Sequence, residues 1–66
     1  MNKNTIIEKN LTPYKSKVIV YFTGSNNKTT CKTGLYVDLK DNALVILNKC
    51  KEIEIALDKI ISVVAK

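Results

Sequence analysis

The residues best suited to chemistry in this sequence are lysines and tyrosines placed close together along the chain. Lys17 and Tyr21 fall in one segment, and Lys32 and Tyr36 fall in the next. Lysine ammonium groups attract phosphates, and tyrosine rings stack on unpaired bases. This combination indicates a surface for single-stranded nucleic acid, with RNA as the first expectation.

A structural role for the same tyrosines is the competing interpretation. The strands that carry Tyr21 and Tyr36 have apolar residues on both faces, so each face needs a cover. The N-terminal segment with Ile6, Ile7 and Leu11 is the only cover that the chain offers. Under this interpretation both tyrosines pack beneath that segment, on the face opposite the main core.

The charge balance favours an anionic partner. The chain has 11 basic residues and 6 acidic ones, a net charge of +5, and every basic residue is a lysine. Excess positive charge attracts polyanions through counterion release. Arginine supplies most bidentate reading of bases and phosphates, so a surface with lysine alone binds anions less selectively.

Catalytic chemistry is not expected. The chain has no histidine, and its only cysteines, Cys31 and Cys50, cannot complete a four-ligand zinc site. No nucleophile has a base partner in the pattern, so we expect a non-enzyme without metal or cofactor. Both thiols are expected to be free, with Cys31 semi-buried on the core face and Cys50 more exposed.

The length and hydropathy of the chain limit the number of domains and the kinds of segment that it can contain. The 66 residues make one small domain, residues 1–66. No apolar run approaches the roughly 20 residues that span a membrane, and the first residues lack the apolar segment of a secretory signal. We therefore expect a cytoplasmic protein.

The pattern predicts an all-β fold: a small, five-stranded, strongly bent antiparallel barrel over residues 17–64, preceded by a short helix over residues 5–12. Alternating β-branched and aromatic residues mark the strands. Gly34 falls in the middle of the longest strand, where a barrel needs a bend or bulge. The predicted strands are residues 17–22, 29–39, 43–47, 52–57 and 59–64.

The hairpin registers predict the core. Partner numbers that sum to about 82 bring Leu35 towards Ile46 and Val37 towards Leu44, so that apolar residues meet on one face. The next hairpin sets Ile46 near Ile53. The predicted core is Val18, Val20, Phe22, Leu35, Val37, Leu44, Ile46, Ile53, Ile55 and Ile60.

This order of elements resembles the Sm-like branch of the small SH3-like barrels. Residues 38–42 have the Asp-x-x-x-Asn spacing of the first Sm motif, and residues 55–63 have the apolar spacing of the second. Where the family has Arg-Gly, this chain has Ala56-Leu57, and Lys40 replaces the family's aromatic residue. The resemblance implies the fold, and it implies RNA contacts only at the corresponding positions Asp38, Lys40 and Asn42.

Two functional classes stay open. One is an RNA-binding barrel that uses Lys17, Tyr21, Lys32 and Tyr36 with the motif positions above. The other is a protein-interaction module or accessory subunit that offers an edge strand or groove. The resemblance also implies a ring in which residues 52–57 of one subunit pair with residues 59–64 of the next. Salt separates the two classes, since nucleic-acid binding weakens steeply as ionic strength rises.

Overall fold

The computed structural model describes residues 3–7 and 10–66, with only the backbone at Lys3 and Ile7. Within this part of the chain a 3-10 turn, Leu57–Lys59, connects the last two strands. The helix and strands are α1 (Lys3–Ile7), β1 (Lys17–Thr23), β2 (Thr29–Leu39), β3 (Ala43–Asn48), β4 (Lys51–Ala56) and β5 (Ile60–Ala65).

The strands form one antiparallel sheet in the order β4-β3-β2-β1-β5. The predicted all-β class with five antiparallel strands and a short helix is confirmed. Within the described residues the sheet is not closed into a barrel, because β4 and β5 form its two edges.

The helix is shorter than predicted. It spans Lys3–Ile7 instead of residues 5–12, and residues 10–12 are not helical. Asn10 has φ 54°, a left-handed conformation through which a helix does not continue. Residues 8 and 9 of the predicted helix lie outside the described residues. The helix nevertheless covers the sheet, since the Ile6 side chain is only 1% exposed within the core.

One face of the sheet, the core face, carries the hydrophobic cluster. Two partly buried side chains that were predicted in the core, Phe22 and Ile53, pack against this cluster. The buried members are Ile6, Val18, Val20, Leu44, Ile46, Ile55, Leu57, Ile60 and Val63.

Leu35 and Val37 were wrongly placed in the core. Leu35 pairs with Leu47, whereas Tyr36 pairs with Ile46. The sum of 82 therefore holds as far as Tyr36 and becomes 83 from Asp38 onward. The expected pairing of Leu35 with Ile46 was one residue out, and one residue moves a side chain to the other face. Val37 lies in a bulge between Tyr36 and Asp38. Both residues are half-buried on the opposite side of the sheet, which we call the outer face.

Gly34 serves a close approach of two strands. A Cβ atom at Gly34 would lie 2.5 Å from the carbonyl oxygen of Leu47, so only glycine fits between β2 and β3 here. The bulge in β2 falls three residues beyond it, at Val37. Gly34 and the bulge therefore have separate roles.

The β3–β4 hairpin closes through a two-residue turn at Lys49 and Cys50. Both residues have positive φ, 50° and 65°, as a type I′ turn requires. Asn48 then pairs with Lys51, and the carbonyl oxygen of Asn42 accepts a hydrogen bond from the Leu57 N–H at 2.9 Å, in the same register. The turn therefore fixes where Lys49 projects from the sheet.

Candidate functional site

The predicted binding residues are divided between the two faces of the sheet. Lys17 and Tyr21 lie on the outer face, because their partners on β2 are Leu35 and Cys31. Lys32 pairs with Val20 and lies on the core face. A single strand of nucleic acid on one face would therefore meet only part of the predicted set.

The position of Tyr36 agrees with the structural interpretation, in which this tyrosine packs beneath the N-terminal segment. It is half-buried and packs against the hydrophobic cluster that contains Ile6, together with Leu11. Its backbone is also fixed, since its N–H donates to the Ser16 oxygen at 2.8 Å. The expectation that Tyr36 lies opposite the core was wrong, because the register gives it the face of its partner on β3.

Tyr21 does lie opposite the core. It is half-buried on the outer face, flanked by Cys31 on β2 and Ser62 on β5. Because the core helix α1 covers the other face, the expected packing of Tyr21 beneath Ile6 does not occur. The Ile7 side chain, also named in that expectation, lies outside the described residues.

Lys32 borders a groove at the open end of the core face. This groove, about 290 Å³ in volume, is lined by Phe22, Ile53 and Lys59 among others. Its wall is mainly apolar, and Lys32 is exposed at its margin. Lys32 and Lys17 thus belong to different surfaces.

The positions that correspond to the first Sm motif lie in an acidic setting. The Lys40 ammonium group forms a hydrogen bond and ion pair with the Glu54 carboxylate. The Glu54 hydrogen bond and charge raise the pKa of Lys40 above its ordinary value. Asp38 and Glu52 join this pair around a hollow of about 370 Å³, which we call the acidic hollow. Three carboxylates against one ammonium group make it unfavourable for phosphate.

Asn42 lies beside this region in the exposed turn before β3. Its carbonyl oxygen is held by Leu57, which ties the turn to the end of β4. The side chain is exposed, and its amide offers a donor and an acceptor.

A second hollow is basic. It has a volume of about 260 Å³, and Lys17, Lys49 and Lys66 are among the residues that line it. We call it the basic groove. Among the residues that the structure describes, no Asp or Glu side chain lines it. Three lysines without an Asp or Glu side chain in this lining provide a site where an anion lowers their mutual repulsion.

Three separate elements bring these lysines together. Lys17 begins β1, and Lys66 follows β5 directly, with its N–H donating to the Lys17 carbonyl oxygen at 2.8 Å. Lys49 comes from the β3–β4 turn. Leu35 and Leu47, which pair with each other, form an apolar floor between the two ends of the groove.

Polar groups complete the wall of the basic groove. Asn48 donates a hydrogen bond from its side-chain Nδ2 to the carbonyl oxygen of Thr33, and both residues line the groove. This bond ties the β3–β4 turn to β2 and so helps to fix the base of Lys49.

Lys49 and Lys66 were not among the residues predicted from sequence. Each lies in a local context, a turn and a strand end, where an exposed lysine is ordinary. Their convergence follows only from two registers taken together, β1 with β5 and β3 with β4. Only the predicted Lys17 belongs to this groove.

The outer face continues from the basic groove along β1. Lys17, Ile19 and Tyr21 all lie on this face, so the Cα atom of Tyr21 is about 13 Å from that of Lys17 along the strand. Val64 on β5 pairs with Ile19 and extends the apolar part of this surface. A chain bound along β1 would meet charge at one end and an aromatic ring at the other.

The cysteines are both free and both exposed. The expectation of a semi-buried Cys31 on the core face was wrong, because Cys31 pairs with Tyr21 on the outer face. In the described part of the chain, no group of three His, Cys, Asp or Glu side chains is placed to hold a metal ion. Within the same residues, no helix has the length and apolar character needed to cross a membrane.

Comparison of the chain with protein-family models, with curated proteins and with solved structures gave no significant match.

Proposed function

We propose that this chain is a non-catalytic binding module for single-stranded nucleic acid, RNA in the first instance, and that the basic groove is its phosphate site. The observation that carries the proposal is the convergence of Lys17, Lys49 and Lys66 on one groove without an Asp or Glu side chain in its described lining. The net charge of +5 adds long-range attraction for any polyanion.

Binding in this proposal has two parts. The three ammonium groups hold one or two backbone phosphates and release the counterions that accompanied them. Tyr21 then offers its ring to an unpaired base further along β1, and stacking there is tolerant of sequence. The half-buried position of Tyr21 limits its rotamers, so little side-chain entropy is lost when a base stacks on it.

We also propose that the fold belongs to the Sm-like barrels. The order β4-β3-β2-β1-β5, an 11-residue bulged β2 and a minimal 3-10 connection from β4 to β5 support this assignment. The acidic hollow around Asp38 and Lys40 opposes phosphate, so we assign binding to the basic groove and not to these motif positions. The nucleic acid then lies on a different part of the barrel from the one that the resemblance implies.

The test is a titration of labelled single-stranded RNA, with single-stranded DNA of the same sequence, at several salt concentrations. We expect both to bind, because lysine contacts to phosphate do not distinguish the sugars. The logarithm of the affinity should fall against the logarithm of salt with a slope of about −2, three lysines at about 0.7 each. Absence of binding at low salt, or an affinity that salt does not change, would reject the proposal.

A protein-interaction module is the second candidate function, and one observation favours it. Both edges of the sheet are open within the described residues, and β5 carries no charged side chain. An uncharged edge strand is a template for strand addition.

A further inference from the structure

The β5 edge lacks two of the features by which proteins prevent strand pairing, a charged side chain and a proline, and its register shift against β1, at Ile61, leaves Ser62 to Ala65 regularly paired. Its sequence, Ile-Ile-Ser-Val-Val-Ala, contains neither a charge nor a proline. Ile61 and Val64 are 53% and 45% exposed on it. The β4 edge, in contrast, carries Lys51, Glu52 and Glu54. Charged side chains protect an edge and their absence invites pairing, so the two edges of this sheet are chemically different.

The register shows which backbone groups of β5 face outward. Lys66 donates to Lys17, and hydrogen-bonded pairs alternate in an antiparallel ladder, so Val64 and Ser62 also bond to β1. The groups between them, the N–H and C=O of Val63 and Ala65, therefore point away from β1. The hydrogen bond from Tyr36 to Ser16 supports this alternation. It implies that the even-numbered residues of β1 bond to β2, which leaves the odd-numbered ones to bond to β5.

We propose that a second copy of this chain pairs with β5 in antiparallel orientation, with Val63 of each copy facing Val63 of the other on a two-fold axis. The outward groups of Val63 then bond to each other, at the centre of the regularly paired segment Ser62 to Ala65. Ser62 lies opposite Val64 of the second copy. Two five-stranded sheets become one continuous sheet of ten strands.

This register is favourable because the side chains that it pairs between Ile61 and Ala65 are apolar or neutral. The two Lys66 residues fall at opposite ends of the paired segment, six residues or about 20 Å apart, which is beyond the range of unscreened repulsion in physiological salt. Ile61 and Val64, exposed in one copy, gain apolar neighbours. A symmetric pairing uses the β5 edge of each copy, so no β5 edge stays free and assembly stops at two copies.

The alternative pairings are less favourable. A β4 edge against its own counterpart would bring Glu52 and Glu54 towards the same residues of the second copy, and like charges in opposition are destabilising. Pairing of β5 with β4, the ring that the Sm-like resemblance implies, would place the uncharged β5 against a strand that carries Lys51, Glu52 and Glu54, and it continues from copy to copy until a ring closes. The inference does not depend on the proposed nucleic-acid function.

The test combines sedimentation over a wide range of concentrations with two edge variants. The parent should show a reversible equilibrium between the 7.4 kDa monomer and twice that mass. Ala65→Pro removes an outward N–H without removing a bond to β1, and Val64→Lys adds a charge to the edge. Each should shift the chain to monomer at concentrations where the parent is dimeric, while circular dichroism shows the same strand content.

The matched control is Tyr14→Lys, which adds the same charge at a side chain that is 57% exposed. The Tyr14 N–H bonds to the Tyr36 carbonyl oxygen on β2, which β1 separates from β5. This variant should remain dimeric. In a mixed sample of labelled and unlabelled parent, an isotope-filtered Overhauser effect should join the Hα atoms of Ser62 and Val64 of different copies.

A parent that is monomeric at every concentration would overturn the inference, as would assembly beyond two copies. Dimers that persist in both edge variants, or that are lost in Tyr14→Lys, would also place the contact elsewhere and overturn it.

Discussion

Lys66 lies directly opposite Lys17, and its N–H donates to the Lys17 carbonyl oxygen at 2.8 Å. Two like charges thus begin and end neighbouring strands at the same end of the sheet. Lys49 from the β3–β4 turn joins them in the basic groove. Because like charges opposite each other are destabilising, the arrangement costs stability in the free protein and favours a bound anion.

The burial of Ile46 and Leu35 predicts unequal effects of truncation. Ile46→Ala removes a fully buried side chain from the core face and should cost about 2–5 kcal/mol of unfolding free energy. Leu35→Ala truncates a half-buried side chain on the outer face and should cost clearly less. Urea unfolding of the two variants measures the difference. Equal losses would mean that Leu35 shares the core after all.

Gly34 should not tolerate a methyl group. In Gly34→Ala the new Cβ meets the backbone carbonyl of Leu47, which can move only with its strand, so we expect a loss of about 1–3 kcal/mol. Gly24→Ala is the control. There the Cβ would meet the Thr30 hydroxyl at 2.7 Å, and a side chain can rotate away. Thermal unfolding of both should show the larger loss at Gly34, and the reverse order would contradict the β2–β3 approach.

The β3–β4 turn predicts a stabilising substitution. Cys50 has φ 65°, a conformation that costs a residue with a Cβ roughly 1–2 kcal/mol. Cys50→Gly should raise the free energy of unfolding by about 0.5–1 kcal/mol, because the greater freedom of glycine in the unfolded chain offsets part of the relieved strain. Cys50→Ala, which removes the thiol but keeps the Cβ, should give no such gain. If the two variants have the same denaturation midpoint, the left-handed turn is not the source of the effect.

Both thiols should be accessible in the native protein. Cys31 lies on the outer face of β2 and Cys50 in a surface turn, and both are exposed. Titration with a thiol reagent should therefore find two groups that react without denaturant. One group that reacts only after unfolding would show that Cys31 is covered.

The local sequence pattern was sufficient to predict where the strands lie, but it did not predict on which face of the sheet each residue lies. The alternation of β2 predicted its length, Thr29–Leu39, from sequence. The bulge at Val37 has no sequence signature, and it changes which residues of β2 reach the core. Before the bulge, the observed pairing differs from the expected one by a single residue. This difference places Tyr36 in the interior and Leu35 on the outer face.

The candidate site was less accessible to sequence reasoning than the fold. The basic groove requires the long-range pairing of β1 with β5, since Lys17 and Lys66 are far apart in the sequence. The ion pair between Lys40 and Glu54 also crosses from one turn to another strand. Charges that meet in this way cannot be predicted from their spacing along the chain, whereas strands can be predicted from hydrophobic periodicity.

The most direct test of the central proposal is the salt dependence of RNA binding in two charge-matched double variants. Lys17→Gln with Lys66→Gln removes two charges from the basic groove. Lys28→Gln with Lys40→Gln removes two charges elsewhere, one of them already paired with Glu54. We predict that the first pair weakens binding and reduces the salt slope by about 1.4, two lysines at about 0.7 each, while the second leaves the slope close to that of the parent. An equal reduction in both variants would show general electrostatic attraction and would contradict a phosphate site in the basic groove.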